Sequence, residues 1–130
     1  MLQIDYKSGM SICDQVVNGF IKLIAVGVLK TGDSLPSVRQ MASTLSVNPN
    51  TVQKAYAILE ERGVIYSVKG KGSFVSDAEN TRSAIFTKEK ENLINSLKDA
   101  HKVGFPKEEL LNIIDEIYGK GDINKNDWRY

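Results

Sequence analysis

The chain has 130 residues, 42% of them hydrophobic, and a net charge of +1. This length accommodates one domain with a modest core plus an appendage. No apolar run is long enough to span a bilayer, and no charged-then-apolar signal opens the chain, so we expect a cytoplasmic protein without a membrane partner. The single cysteine, Cys13, excludes an internal disulfide and a multi-cysteine zinc site, and we expect it to fill a helix face.

The first predicted element is a helix over residues 11–26. It follows a lead-in over residues 1–9, in which residues 2–6 are a candidate for a short extended piece. Ser11 is suited to cap the helix, and Asp14 in the first turn is favourable to the helix dipole. The main apolar stripe of the helix consists of Ile12, Val16, Phe20 and Ile24. We expect this helix to be scaffold for the helices that follow.

Two short helices with a tight turn between them are predicted next. Ser37 followed by Gln40 matches a capping box at the start of the first. The second opens with Asn48, a good N-cap, and Pro49, whose fixed φ suits the first helical position. With Ser46 and Val47 at the turn, the pair is typical of a helix-turn-helix unit.

The second of these helices has two distinct faces. Its apolar positions recur at helical spacing and are Val52, Ala55, Tyr56 and Leu59. The other side carries Asn50, Thr51, Gln53 and Lys54, which are polar but short, with one charge. Amides and hydroxyls of this kind suit the reading of base edges in a DNA major groove.

A β-hairpin is predicted after Gly63, which we interpret as the residue that ends the second helix. Residues 64–68 and 73–75 read as strands, and Lys69-Gly70-Lys71-Gly72 links them as a doubly charged tip. A hairpin in this position is a wing, and its lysines can reach phosphate or the minor groove.

The run from Gly27 to Val75 resembles the winged helix of the GntR family of bacterial transcription regulators. LPSVR at residues 35–39, TVQKAY at 51–56 and GKGSFV at 70–75 match the spacing of that family. The resemblance implies a short strand near Ser34 and Leu35 that pairs with the wing. It also implies a mostly α fold with a small β wing: an N-terminal winged helix-turn-helix, then a two-helix C-terminal dimerisation tail.

The resemblance also assigns roles to individual residues. Arg39 matches a DNA-contacting arginine of the family, the alternative being a solvated charge on a short helix. Asn48 matches a contact position in addition to its role as a cap. Lys69 and Gly70 match contacts of the wing. The predicted DNA-binding residues are Ser37, Arg39, Asn48, Asn50, Thr51, Gln53, Lys54, Lys69, Gly70 and Lys71.

Charge is distributed unevenly along the chain. Residues 30–76 carry six Lys and Arg against three Asp and Glu, whereas residues 77–130 carry nine against eleven. The positive excess therefore lies in the predicted winged helix, where contact with phosphates needs it. Because the excess is moderate, we expect DNA binding to depend on a dimer that adds two such surfaces.

Two further helices are predicted after the wing. Polar residues 77–82 form either a hinge or a helix start, and a long helix follows over residues 81–103, ended by Gly104. The second, over residues 107–118, has early acids suited to its N-terminus and apolar positions on more than one face. A dimer interface is the natural place to bury this surface. The predicted dimerisation residues are Phe86, Leu93, Leu97, Leu110, Ile113, Ile114 and Ile117.

The length of this tail resembles that of the YtrA subgroup of the family, in which two helices make the homodimer. We therefore predict a DNA-binding domain over residues 1–76, a dimerisation region over 77–118 and a disordered tail over 119–130. Trp128 and Tyr130 could instead dock on a partner subunit. No cofactor or metal is expected, since His101 is the one histidine. Any small-molecule effector would sit at the dimer interface or between tail and winged helix.

The predicted function is a homodimeric, sequence-specific transcriptional regulator acting on double-stranded DNA at a near-palindromic operator. In the resembling family such regulators are repressors more often than activators. The alternative is a winged-helix adaptor for protein interaction, because fold alone does not determine function. We do not expect an enzyme, since no nucleophile–base set, carboxylate pair or metal cluster occurs at usable spacing.

Overall fold

The computed structural model describes residues 2–119 of the chain, which form five helices and a two-stranded sheet. In chain order the elements are α1 (Ile12–Ala25), α2 (Val38–Leu45), α3 (Pro49–Glu61), β1 (Ile65–Val68), β2 (Gly72–Val75), α4 (Ala78–Lys102) and α5 (Lys107–Tyr118). The predicted mostly α fold with a small β wing is confirmed. The chain divides into two compact units, one ending at Ser83 and the other beginning at Ala84.

Helix α1 begins as predicted, because the Ser11 hydroxyl accepts a hydrogen bond of 3.0 Å from the backbone N–H of Asp14. The candidate extended piece over residues 2–6 forms no strand, and a turn begins at Tyr6. A side chain holds it instead: the Gln15 amide accepts from the Asp5 N–H at 2.7 Å and donates to the Asp5 carbonyl at 2.9 Å. This pairing satisfies the backbone as a strand would.

The core of the first unit lies between α1 and α3, with α2 and the sheet closing its sides. Phe20 and Ile24 of α1, Val52 and Leu59 of α3, and Val75 of β2 are almost completely buried. These are the apolar stripes that helical spacing predicts, so burial of nonpolar area holds α3 with its other face outward. At the C-terminal end of α3, Gly63 has φ of 75°, the left-handed conformation expected of a residue that ends a helix.

The sheet is a hairpin of two strands, and an isolated β-bridge from Ser34 lies beside it. Strands β1 and β2 are antiparallel, in register from Ile65 opposite Val75 to Val68 opposite Gly72. The Leu35 N–H donates to the Ser73 carbonyl at 2.9 Å, and Ser34 forms a bridge with Phe74. Where a short strand beside the wing was expected, the chain therefore forms an isolated β-bridge and no third strand.

Helix α4 starts at Ala78, three residues earlier than predicted, so the polar segment at residues 77–82 is a helix start and not a hinge. Asp77 accepts from the N–H of Asn80 at 3.1 Å, which caps the first turn. Ala78 and Thr81 are buried, and the Ala78 N–H donates to the Thr31 hydroxyl at 3.0 Å. These contacts place the division between units at Ser83, beyond the boundary at residue 76 that the sequence indicated.

The second unit has regular helices but no interior of its own. Helix α5 occupies residues 107–118 as predicted, and Gly104, with φ of 76°, follows α4. Within residues 84–119 no side chain is buried. The expected disordered tail lies outside the described residues from 120 onward. None of the helices in the described part of the chain is both long and apolar enough to cross a bilayer.

Tyr56 links three parts of the first unit and allows a test of the packing. Its ring meets Phe20 edge-on at a centroid distance of 5.6 Å, and its hydroxyl donates to the Pro36 carbonyl at 2.6 Å. Burial raises the pKa of the Tyr56 phenol far above its ordinary value of about 10. The phenol therefore stays neutral in the folded protein when it ionises in the unfolded chain.

We predict that Tyr56→Phe lowers the free energy of unfolding at pH 7 by about 1 kcal/mol, because the Pro36 carbonyl loses its donor. Because the pKa of Tyr56 is raised on folding, its contribution to stability is complete below a pH of about 10 and is lost as the pH rises further. The difference between wild type and Tyr56→Phe should therefore shrink above that pH. Urea unfolding at pH 7 to 11 checks this, and a constant difference would contradict the assigned cause.

Candidate nucleic-acid interface

The helix-turn-helix is set by two capped helix starts with a strained turn between them. The Ser37 hydroxyl accepts from the Gln40 N–H at 3.1 Å and starts α2. Ser46 ends α2 in the left-handed conformation, with φ of 56°, which non-glycine residues rarely adopt. The Val47 N–H then donates to the Ala42 carbonyl at 3.0 Å, which closes the turn. This turn brings α2 and α3 into contact.

Helix α3 presents a polar face to solvent as predicted, with one difference. Asn48 caps it by accepting from the Asn50 N–H at 2.8 Å, and Pro49 is its first residue. Asn50, Gln53 and Lys54 are exposed. Thr51 is half-buried, because it lies at the edge of the face that packs inward. The outward-facing side chains are therefore two amides and one ammonium, and the threonine reaches solvent only in part.

Arg39 lies in the first turn of α2 and is exposed. Within residues 2–119 its guanidinium has neither an ion pair nor a hydrogen bond. An unpaired guanidinium carries donors in a planar fork, which suits a phosphate or a guanine edge. Ser37, one residue before α2, keeps its hydroxyl hydrogen available while its oxygen accepts from the helix.

The wing carries its charges at the tip of the hairpin. Residues 69–71 form the loop between β1 and β2, closed by a bond of 2.9 Å from the Lys71 N–H to the Val68 carbonyl. Lys69 and Lys71 are exposed. Gly70 has φ of 80°, which a residue with a side chain would adopt only with strain. The loop is thus compact and presents two ammonium groups to solvent.

Two polar residues that the sequence analysis did not assign tie the wing to α3. Glu60, in the last turn of α3, accepts a hydrogen bond from the Ser67 hydroxyl of β1. On the other face of the hairpin, Tyr66 and Phe74 pack with their ring centroids 5.7 Å apart. No local motif predicts the Glu60–Ser67 contact, because the side chains meet only when the chain reverses at Gly63. The contact couples the wing to α3.

The predicted site residues therefore fall on three connected elements: α2 with its cap, α3, and the hairpin loop. Within the described residues no side chain of this set bonds to another side chain of the set; the cap of Asn48 on the Asn50 N–H is a bond to the backbone. The part of the chain that the structure covers also contains no group of three or more His, Cys, Asp or Glu side chains placed to hold a metal. Exposed donors and cations on a rigid frame are an arrangement for binding a polyanion, with amides for base edges.

These features define the class of winged helix-turn-helix proteins. Residues 13–75 match the family described as bacterial regulatory proteins, gntR family. The chain is 40% identical over 121 residues to the HTH-type transcriptional repressor YtrA of Bacillus subtilis (strain 168), an alignment that covers 90% of this chain and 92% of the relative. The chain belongs to the GntR family.

Two solved structures extend the similarity. A GntR family transcriptional regulator from Listeria monocytogenes aligns with a TM-score of 0.73 at 31% identity, covering 85% of this chain and 98% of that one. The DNA-binding domain AraR(DBD) in complex with operator ORX1 aligns with a TM-score of 0.51 at 25% identity, covering 58% of this chain and 96% of that one. The first similarity includes much of the tail as well as the winged helix.

The cap of α3 provides a test of local structure at this interface. We predict that Asn48→Ala lowers the free energy of unfolding by about 1 kcal/mol, because the Asn50 N–H loses its acceptor. Asn48→Asp should leave stability nearly unchanged, since a carboxylate is an equally good cap and favours the helix dipole. Thermal unfolding of both variants measures the effect. Equal losses in the two variants would contradict the capping role.

Proposed function

We propose that this protein is a transcriptional regulator, a repressor, that binds double-stranded operator DNA in a sequence-specific manner as a homodimer. The observation that carries the proposal is the exposed polar face of α3, held outward by a buried opposite face. Asn50 and Gln53 have amides that can form paired hydrogen bonds with adenine in the major groove. Reading chromosomal operators would place the protein in the cytoplasm.

The remaining site residues fit the division of labour between phosphate and base contacts. Arg39 would bind a phosphate or guanine, and Lys69 and Lys71 would bind phosphates beside the groove that α3 occupies. The AraR domain, solved with an operator, and the repressor YtrA support this proposal through the shared fold and sequence. The moderate positive charge of one winged helix favours a protein that applies two of them to one duplex.

A second copy of the chain is the partner we propose for the tail. Leu93 is 58% exposed and Ile117 is 71% exposed, yet each lies among other apolar side chains of its own helix. Full burial of such a side chain is worth about 1.5–3 kcal/mol. A two-fold axis lets α4 and α5 of each subunit cover the same apolar residues of the other, without a different partner surface. The charges of this region are mixed, which does not oppose association of like chains.

The dimerisation residues that the sequence indicated retain their proposed role. Leu97, Ile113 and Ile114 are exposed, whereas Leu110 is half-buried. Phe86, on α4, is 43% exposed. Residues 84–119 contain no buried side chain. Folding of this unit alone therefore leaves its apolar side chains at least partly exposed to water.

Selection of bound duplexes from random DNA tests the function directly. We expect enrichment of a near-palindrome whose half-sites are about one helical turn apart, as two related recognition helices require. Recovery of sequences without any shared motif, at a salt concentration that removes nonspecific binding, would contradict the proposal. Gel shifts with the enriched duplex then serve for the variants below.

Arg39→Ala should weaken binding to the selected duplex by about 1–3 kcal/mol without lowering thermal stability, because the side chain makes no contact that holds the fold. Lys88→Ala is the matched control. It removes an exposed positive charge from α4, which is not one of the three elements that carry the predicted site residues. Gel-shift titrations measure both affinities. Arg39 would be removed from the interface if the two variants bound equally well.

Leu97→Asp should convert the dimer to a monomer, because a carboxylate would have to be buried without a partner. Asn95→Asp, two positions along the same exposed helix, adds the same charge on the opposite face and should leave the dimer intact. Sedimentation velocity over a concentration series distinguishes the two. An unaltered dimer in Leu97→Asp would place the interface elsewhere.

A further inference from the structure

Arg82 occupies an unusual position for a charged side chain. It lies in the second turn of α4, at the end of the first unit, and its side chain is only 13% exposed. Its Nε–H donates to the Ala25 carbonyl at 3.1 Å, and its Nη2 donates to the Ile24 carbonyl at 3.3 Å. Its Nη1 pairs with Glu79. A guanidinium is withdrawn from water to this extent only where such partners replace its hydration.

The partners of Arg82 are the carbonyls at the C-terminal end of α1. The last carbonyls of a helix carry partial negative charge, which favours a guanidinium there. The Ile24 carbonyl also accepts from the Gly27 N–H at 3.1 Å, so Arg82 is its second donor. Gly27 follows closely, with φ of 84°, and a Cβ built on it would lie 3.9 Å from Nη2 of Arg82. A second bond, from the Ala78 N–H to the Thr31 hydroxyl, holds the start of α4.

The bonds of Arg82 connect α4 through α1 to α3, the helix proposed to read bases. Helix α1, whose end Arg82 binds, is also the helix that packs against α3 across the core. Apolar packing of α4 on the first unit is already supplied by the buried Ala78 and by Thr81. What Arg82 adds is direction, because planar donors aimed at two successive carbonyls admit few orientations of the helix that carries them.

We propose that Arg82 is a positioning residue for operator recognition, one that determines which spacing between half-sites the protein accepts. This inference rests on the proposed homodimer, since the spacing matters only if two winged helices bind one duplex. Helix α4 continues without interruption from its first turn to Lys102, in the region proposed to meet the second copy. Without the bonds of Arg82, the start of α4 could take more than one orientation on α1.

The expected effect is on spacing and not on the reading of a half-site. Moving one half-site by one base pair shifts it by about 3.4 Å and rotates it by about 34° around the duplex axis. A rigid dimer then loses simultaneous engagement of both half-sites, which is worth about 10²- to 10⁴-fold in affinity. A loosened dimer keeps part of that advantage at several spacings.

The experiment measures affinity for the selected duplex and for versions in which one or two base pairs are inserted or removed at its centre. Wild type should prefer its own spacing by at least about tenfold. Arg82→Gln, which removes the charge and the fork of donors, should prefer it by about threefold or less, with unchanged affinity for a single half-site. Glu79→Gln is the matched control. It removes the exposed ion-pair partner, leaves the bonds to α1, and should keep the wild-type profile.

Each outcome decides the inference. A profile in Arg82→Gln as sharp as that of wild type overturns it, as does an equal loss at every spacing and at the single half-site. Broadening in Glu79→Gln equal to that in Arg82→Gln would overturn the role of the α1 carbonyls. If Arg82→Gln does not fold, as judged by circular dichroism, Thr31→Val decides. Thr31→Val removes the hydrogen bond from the Ala78 N–H. The inference holds if this variant prefers one spacing less strongly than wild type does, and it is overturned if the preference is unchanged.

Failure of the proposed function gives a different result. If wild type binds a single half-site but shows no preference for any spacing, the proposed homodimer with one winged helix on each half-site is overturned, and the inference with it. A wild type with a sharp preference and an equally sharp Arg82→Gln would overturn the inference alone.

Discussion

The first unit depends on how α3 is held against α1, and Tyr56 is the centre of that contact. Its ring packs edge-on against Phe20, while its hydroxyl bonds to the Pro36 carbonyl just before α2. The Tyr56 side chain thus sets the position of α3 relative to α1 and to the start of α2. Because the buried side of α3 is fully occupied, its polar side chains have only solvent, or a ligand, to meet.

The surface that results has a moderate charge and well-placed donors, which favours selectivity over general affinity for polyanions. Among the predicted site residues the cations are Arg39 at the start of α2, Lys54 on α3, and Lys69 and Lys71 in the hairpin loop, whereas Asn50 and Gln53 of α3 present amides. Phosphate contacts position a protein on DNA, and base contacts specify the sequence. The bond between Glu60 and Ser67 matters here, because it couples the hairpin that carries Lys69 and Lys71 to the helix proposed to read bases.

The second unit shows the opposite situation, in which helices are well formed but have little to pack against. Helices of 25 and 12 residues in water gain most of their stability from packing of an apolar face. The described part of this unit has no buried side chain, and the proposed homodimer is where we expect its apolar faces to be covered. In the proposed dimer, folding of the tail and assembly would therefore be one process, and the affinity for DNA would follow the subunit concentration.

What the sequence by itself determined about this protein is local. Caps at Ser11, Ser37 and Asn48, and the apolar stripes of α1 and α3, predicted the helices and the polar reading face, because these signals act within one or two turns. Helix α5 was predicted to its ends from its early acids and apolar positions, and the two β-runs joined by the Lys69–Gly72 loop indicated the wing. The predicted roles of the site residues are proposals that follow from this placement.

Only the tertiary structure decided features that join distant parts of the chain. The Ala78 N–H of α4 meets the Thr31 hydroxyl, and Arg82 reaches the carbonyls of Ala25 and Ile24 across 57 and 58 residues of sequence. The half-burial of Thr51 depends on the surface against which α3 packs. A hydrogen bond or a contact of this kind exists only after folding brings its partners together, so no periodicity or capping rule encodes it locally.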